Sequence, residues 1–360
     1  MNEISQYQQK LLQAIQKVSK SITLMEVCGT HTMAIAKSGI RELLPENITL
    51  LSGPGCPVCV TSQGDIDAII EMVQIKDIIL VTFGDMIRVP GTNSSLQEER
   101  SKGADIRIAY SPLDALRIAR KNPHKEVVFL GIGFETTAPA IAITVEQASA
   151  EQLRNFSVFS LHKVVPPALE HIFSDQEIRV DGLICPGHVS MIIGTGPYDI
   201  LTEKYKKPCV VTGFETIDIL EGIYMLIKQI SQGEAKTETQ YRRLVKREGN
   251  LIARQAIDQV FELVDAKWRG LGLIEQSGLA LHHAYAEMDA RLKFNIAEKA
   301  EIPIKGCVCG EVLTGKIIPT ACKLFGKACT PLNPVGPCMV SQEGSCAAYY
   351  RYTPWKGSNK

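Results

Sequence analysis

Between about residues 21 and 225, short apolar runs alternate with segments of helical spacing, and this alternation leaves few folds open to the chain. Eight runs read as strands: 22–27, 48–52, 77–83, 106–110, 126–132, 156–161, 182–186 and 208–214. Most are rich in Val and Ile and bounded by Gly, Pro or Asn, the pattern of buried strands. Between them lie segments such as DIDAIIEMVQI and LDALRIARKN, with apolar residues at helical spacing. Strand–helix alternation implies βα units and mainly parallel sheets. The expected fold class is α/β, with two parallel-sheet βα domains at 21–120 and 121–225. VVFLGIGFETTAPAIAI (127–143) and CVVTGFETIDILEGI (209–223) both place G-F-E-T after an apolar run. Two related domains explain this echo, and so does a recurring strand-to-helix turn.

From 226 the strand signals fade. TETQYRRLVKREGNLIARQAIDQVFELVDAKW (237–268) reads as helical. With the cysteine-rich segment that follows, and with the amphipathic residues 1–20, it is expected to form a third, C-terminal helical domain at 226–360. At 360 residues, 45% of them hydrophobic, the chain can bury a large core without disulfide staples. Lys plus Arg and Asp plus Glu balance at 39 each, which argues against nucleic-acid binding. The N-terminal stretch lacks the apolar core of a signal peptide. No apolar run approaches the roughly 18–20 residues that span a bilayer. A cytoplasmic protein without membrane attachment is expected. In that compartment closely spaced cysteines favour metal or catalytic roles over structural disulfides.

Six of the eleven cysteines fall between Cys307 and Cys346. Fourteen residues separate Cys307 from Cys322, six separate Cys322 from Cys329, and sixteen separate Cys329 from Cys346. Cys309 and Cys338 are left over. Four thiolates hold either a [4Fe–4S] cluster or tetrahedral zinc. Structural zinc sites use close Cys-x2–4-Cys pairs. This segment has none, so the spacing favours iron–sulfur. Its glycines permit the tight turns of a loop wrapped round a cluster.

Upstream, Cys56-Pro57-Val58-Cys59 follows a strand and a Gly-Pro-Gly turn and precedes a helix. A helix N-terminus favours a thiolate, so the pair reads as a redox dithiol or as half of a metal site. Cys28 ends the first strand, in M-E-V-C-G-T-H-T, where open α/β sheets place ligands. Neighbouring strands would bring Cys28, Cys56 and Cys59 to one crevice, a soft donor set for iron or zinc. His31 follows three residues later, as a supporting group or a local hydrogen-bonding residue. Glu135, Thr136, Thr137, His188 and Ser190 also fall at strand ends. Proton transfer and positioning are one role for them, helix capping the other. Cys185 and Cys209 lie inside apolar strands and read as core.

M-E-V-C-G-T-H-T (25–32), G-P-G-C-P-V-C-V (53–60), G-F-E-T-T-A-P (133–139), P-G-H-V-S (186–190) and the whole of 307–350 together resemble the HypD family of [NiFe]-hydrogenase maturation proteins. The resemblance implies an assembly scaffold that works with the small chaperone HypC. On it, iron acquires one CO and two cyanide ligands before the Fe(CN)2CO unit passes to the hydrogenase large subunit. Cyanide is implied to come from HypE. The family's iron-site cysteines fall on Cys28, Cys56 and Cys59. Its [4Fe–4S] spacing matches Cys307, Cys322, Cys329 and Cys346. A likeness to ferredoxin:thioredoxin reductase makes Cys309 and Cys338 candidates for a redox pair. On an iron-assembly mechanism, His31 and Glu135 are expected to orient ligands or move protons, and His188, at its strand end, to line the cleft as a proton-transfer or positioning group. A formal enzyme class is left open. A stand-alone iron–sulfur thiol/disulfide reductase is the alternative, and a zinc-stabilised binding protein a further one.

Overall fold

A computed structural model describes residues 3–302 and 304–355. Among these, eleven strands form: β1 (Ile22–Glu26), β2 (Ile48–Ser52), β3 (Ile78–Thr82), β4 (Asp105–Ile108), β5 (Glu126–Gly131), β6 (Phe156–Ser160), β7 (Gly182–Cys185), β8 (Cys209–Val211), β9 (Thr237–Thr239), β10 (Phe261–Trp268) and β11 (Gly272–Leu281). The first eight are the eight runs expected from sequence, trimmed where the chain turns toward a helix. The protein is α/β. One five-stranded parallel sheet has the order β2-β1-β7-β8-β9, and a four-stranded parallel sheet has the order β4-β3-β5-β6.

The sheets do not follow the expected division at residue 120. β1, which carries β2 on its outer edge, pairs on its other edge with β7 beyond residue 180, and the strands of the four-stranded sheet lie between β2 and β7 in the sequence. The alternation of strands and helices specifies βα units, but not which strands become neighbours. That choice lies in the long crossovers.

Successive strand residues face opposite layers. Leu24 of β1 and Ile48 of β2 meet the helices Gly29–Ser38 and Thr216–Gln232. Met25 of β1 joins Leu80 of β3, Leu130 of β5 and Leu183 of β7 in a core shared by both sheets. Ile79 and Val81 of β3 face a third core, with the helices Ala138–Ala150 and Leu251–Val260. Each fully buried Leu or Ile contributes roughly 1.5–3 kcal/mol. The two sheets are held together through the shared core.

Two regions depart from the helical reading. The N-terminal helix Glu3–Gln16 buries Leu11 and Ile15 against Ile219 and Ile223 of Thr216–Gln232, not against the cysteine-rich segment. Within 237–268 only Leu251–Val260 is a longer helix. The helix stops at Phe261, and β10 and β11 form an antiparallel hairpin. The hairpin turns through Gly270 and Gly272, whose φ values of 76° and 79° suit glycine. Trp268 is buried at its base and donates from Nε1 to Ser277 Oγ at 2.9 Å. This cross-strand pairing overrides a local periodicity that helix and strand share. β9, only three residues long, adds an edge strand that the sequence did not announce.

The C-terminal segment is a string of short helices, Cys309–Leu313, Pro337–Val340 and Ser345–Tyr352, joined by turns. The last packs on Gly29–Ser38 and brings the segment to the first sheet. Among the described residues no helix is long and apolar enough to cross a membrane.

Candidate functional site

A cleft of about 590 Å³ opens where strand C-termini of both parallel sheets meet. β1 contributes Cys28, β3 leads to Asp85, β5 to Thr136 and Thr137, and β7 to His188. This is the position at which open parallel sheets bind ligands. The C-terminal segment closes one side with Ser341 and Glu343.

Cys28 has extended backbone, with φ −150°, and N-caps the helix Gly29–Ser38. Its place is held from two directions. Its amide donates to Glu26 Oε2 at 3.0 Å, while Gly29 N donates to Gly55 O at 2.8 Å. Gly55 lies so close to the Cys28 backbone that a side chain there would overlap it. Burial pushes the Cys28 thiol up to about 12. The amides of His31 and Thr30 pull it down, while the Glu343 and Glu26 carboxylates add to the rise. The free thiol is protonated at neutral pH, and a bound cation is what deprotonates such a group.

Cys56 N-caps the short helix Pro57–Val60 and forms a disulfide with Cys59. In this state the pair offers no thiolate. Pro57 and Val58 line the cleft, and on the far side Cys59 Sγ is 4.0 Å from Pro337 O.

Of the polar turn residues, His188 reaches the cleft wall. Its ring stacks on Phe214 at 4.0 Å, and burial lowers its pKa. His31 also packs against Phe214, ring centroids 4.7 Å apart, and is fully buried. Its Nε2 lies 2.9 Å from Gly213 O and 3.0 Å from Thr212 Oγ1; the carbonyl only accepts, so Nε2 carries the hydrogen and Nδ1 is a buried lone pair without a partner. Burial lowers its pKa to about 4. Glu135 sits behind the wall formed by Phe134 and Thr136. Its Oε1 accepts from Val165 N at 2.9 Å at the start of the helix Val165–Ser174, and Oε2 is buried without a partner. Burial raises its pKa to about 7. Ser190 donates to Pro186 O and meets Tyr198 OH, so its hydroxyl is spent inside the fold. Cys185 and Cys209 are fully buried.

Three carboxylates of this region were missed by sequence reasoning. Glu26, fully buried, also accepts from Thr32 Oγ1 at 2.6 Å. Glu343 accepts from Thr30 Oγ1 at 2.9 Å, and burial raises its pKa. Asp85 lies 3.4 Å from Ser341 Oγ. Asp85 follows β3 as Cys28 follows β1, so the strand-end rule would have found it. An acid inside the apolar run of β1 was the signal for Glu26. Nothing local marks Glu343.

The C-terminal cysteines gather separately. Cys307, Cys309, Cys322, Cys329 and Cys346 line one small apolar cavity. Cys338 is fully buried beside them, in contact with Cys309. Cys307 Sγ and Cys309 Sγ are 3.1 Å apart. Thiols of Cys307, Cys338 and Cys346 directed at the Cys309 sulfur hold its pKa well below the usual thiol range, and the same contacts push theirs up. The Val335 amide points at Cys329 Sγ from 3.4 Å. Rings of Phe325, Tyr350 and Trp355 pack together at one wall. Among the described residues no three His, Cys, Asp or Glu side chains already stand in ion-binding geometry. In donor chemistry the set fits a thiolate-held cluster: the four cysteines of the fourteen, six and sixteen spacing share one apolar cavity with an amide aimed at sulfur.

Comparison with known proteins agrees in extent with this architecture. The profile of a family named HypD, described as the hydrogenase formation hypA family, matches residues 3–353. A hydrogenase maturation factor HypD of Rhodobacter capsulatus is 48% identical over 338 residues, covering 92% of this chain and 90% of that protein. One from Escherichia coli is 47% identical over 334 residues, with 92% and 90% covered. Another, from Cupriavidus necator, is 45% identical over 340 residues, again with 92% and 90% covered.

Proposed function

The chain belongs to the HypD family of hydrogenase maturation factors, and from that premise we propose that it is the scaffold on which, together with a HypC-type chaperone, the Fe(CN)2CO unit is built. Iron is the cargo here, and Cys28 is its anchor. The cleft gives it room for diatomic ligands, and the amides of Thr30 and His31 favour the Cys28 thiolate once a cation is present. His188, Glu343 and Asp85, all in the cleft wall, offer groups that hold or move a proton at an incoming ligand. His31 and Glu135 act from behind the wall as positioning residues. A HypE-type protein is the proposed cyanide donor, and the hydrogenase large subunit the recipient.

Cys307, Cys322, Cys329 and Cys346 are the proposed ligands of a resident [4Fe–4S] cluster, which when bound supplies electrons one at a time. Cys56 and Cys59 are proposed to cycle between disulfide and dithiol, taking up two electrons and two protons per reduction. In the dithiol form they become available to the iron. Cys309 and Cys338, thiols in contact with one another, are the proposed redox pair on the C-terminal side.

The single observation that carries this reading is the position of Pro57–Val60. One side of this turn lines the cleft with Cys28, and Cys59 on the other packs on the segment of Cys338.

Anaerobic purification, alone and with HypC, tests it. Iron, acid-labile sulfide and zinc are measured beside infrared bands of metal-bound CO and cyanide. About four sulfides per chain is the expectation for a cube, with CO and cyanide bands when HypC is co-purified. Sulfide without those bands, together with turnover of a protein disulfide in the absence of HypC, favours the reductase alternative. Zinc without sulfide overturns the cluster.

A further inference from the structure

Trp268, Arg269 and Gly270, where β10 enters its turn, touch separate parts of the molecule in succession. Trp268 pairs with Thr61 in an antiparallel bridge, and its ring stacks on Phe134 of the cleft wall, centroids 6.0 Å apart. Arg269 donates from its amide to Val60 O at 2.8 Å, and from Nε to Thr61 O and Nη1 to Gln63 Oε1, each at 2.9 Å. Gly270 packs backbone to backbone on Gly310, and a side chain at either would overlap the other's Cα. Val60 and Thr61 come straight after Cys59, and Gly310 straight after Cys309. Consecutive hairpin residues thus tie the disulfide turn to the helix that begins with Cys309.

Arg269 is 9% exposed, and both acceptors of its side chain are neutral. Nη2 is buried without a partner. A buried guanidinium that gains no ion pair is a poor source of stability. What it supplies is direction. Nε and Nη1 lie in one rigid plane, so the bonds to Thr61 and Gln63 fix the angle of the turn as well as its distance.

We propose, on the redox reading of these cysteines, that Arg269 is a positioning residue that holds the Cys56–Cys59 turn in register with Cys309 and Cys338 for exchange between the two pairs. In that exchange two electrons and two protons leave the thiols of Cys309 and Cys338, which join as a disulfide. They reach the Cys56–Cys59 bond, which breaks to two thiols. Cys59 Sγ is already 4.0 Å from Pro337 O, one residue from Cys338. Misplacing reacting groups by about 1 Å costs on the order of 100-fold in rate, so a tie on the turn itself governs such a step.

Reduction of Cys56–Cys59 by reduced methyl viologen in the full-length, anaerobically purified protein tests the proposal, with alkylation and mass spectrometry as the readout. Wild type, Arg269→Met, Cys338→Ser and the double variant are compared. Methionine keeps an unbranched stem and neither donor. Arg269→Met alone should slow the reaction by about tenfold or more. In the Cys338→Ser background it should add no more than about twofold, because no exchange is left to position. Equal slowing in both backgrounds marks a structural defect and overturns the assignment. A wild-type rate in Arg269→Met beside a slow Cys338→Ser protein also overturns it, and leaves the exchange standing. An unchanged rate in Cys338→Ser removes the exchange itself, and the positioning role with it. If Arg269→Met does not fold, Gln63→Leu, which takes the acceptor from Nη1, decides. Slower reduction only where Cys338 is present supports the assignment, and a wild-type rate overturns it.

Discussion

Cys59 Sγ lies 4.0 Å from the carbonyl oxygen of Pro337, so the Cys56–Cys59 disulfide is one residue away from Cys338 although 278 positions separate the two contacting residues. Cys56, Cys59, Cys309 and Cys338 all belong to the core shared by the two parallel sheets. A close-packed interior transmits small displacements. Reduction of the disulfide would be felt both in the cleft, through Pro57 and Val58, and in the helix Pro337–Val340.

The first prediction concerns this contact. Cys338→Ser keeps the size of the side chain and removes the thiol next to Cys309. If the C-terminal thiols feed the disulfide, reduction of Cys56–Cys59 by a supplied low-potential donor should slow by about tenfold or more, because a hydroxyl does not enter thiol–disulfide exchange. Alkylation of the two cysteines followed by mass spectrometry reads the rate. An unchanged rate would show that electrons reach the disulfide by another route.

The second separates the two sulfur sites. Cys28 lies in the cleft, and the cysteines from Cys307 to Cys346 line a cavity of their own. Cys28→Ala should therefore abolish iron carrying CO and cyanide while leaving acid-labile sulfide at its wild-type level. The fold should lose no more than about 1 kcal/mol, as for an ordinary truncation of a small buried side chain. Parallel loss of sulfide would mean that the sites are coupled in assembly.

The contrast between these sites shows what local sequence carries. Eight of the nine strands of the parallel sheets were legible because a buried strand is a short apolar run with breakers at both ends, and ITLME or IILVT needs no partner to be recognised. Cys28 was legible for the same reason, since its strand's end is its address. The pairing of β1 with β7 was not, because it depends on crossovers more than a hundred residues long. The hairpin Phe261–Leu281 was hidden because its apolar spacing suits a helix until Trp268 meets Ser277. Glu343 entered the cleft only through packing of Ser345–Tyr352 on Gly29–Ser38, a contact between the two ends of the chain.

Glu135 provides the third prediction. Its carboxyl is held at about 7 by burial, while 4.5 is its ordinary value. Between those values the folded state holds a proton that the unfolded chain has released, so stability is full below about 4.5 and falls as pH rises through 7. The loss by pH 8 amounts to about 3 kcal/mol at most. Glu135→Gln retains an oxygen for the Val165 amide and removes the charge. Its unfolding free energy should exceed that of the wild type at pH 8 and converge with it at pH 4.5. Urea titrations at the two values measure the difference, and a variant weaker at pH 8 would show that the ionised form has a partner in solution.

The opposite slope is expected from His31. Its pKa falls from 6.5 to about 4 because the ring is fully buried between the first sheet and Phe214, with Nε2–H given to Gly213 O. As pH drops below 6.5 the unfolded chain takes up a proton that the folded ring refuses, so stability is complete above 6.5 and is lost as pH falls toward 4, by about 3 kcal/mol for this residue. His162, lowered to about 3 by burial and then by Lys163, acts in the same direction over a slightly wider window. His31→Gln keeps a donor for Gly213 O and titrates nowhere in this range. Its denaturation midpoint should therefore lie below that of the wild type at pH 7.5, where a well-packed ring has been lost, but should change less between pH 6.5 and 4. Equal slopes in the two proteins would assign the acid sensitivity to His162 alone and leave His31 ionisable in the fold. That would reopen a direct proton-transfer role beside Cys28.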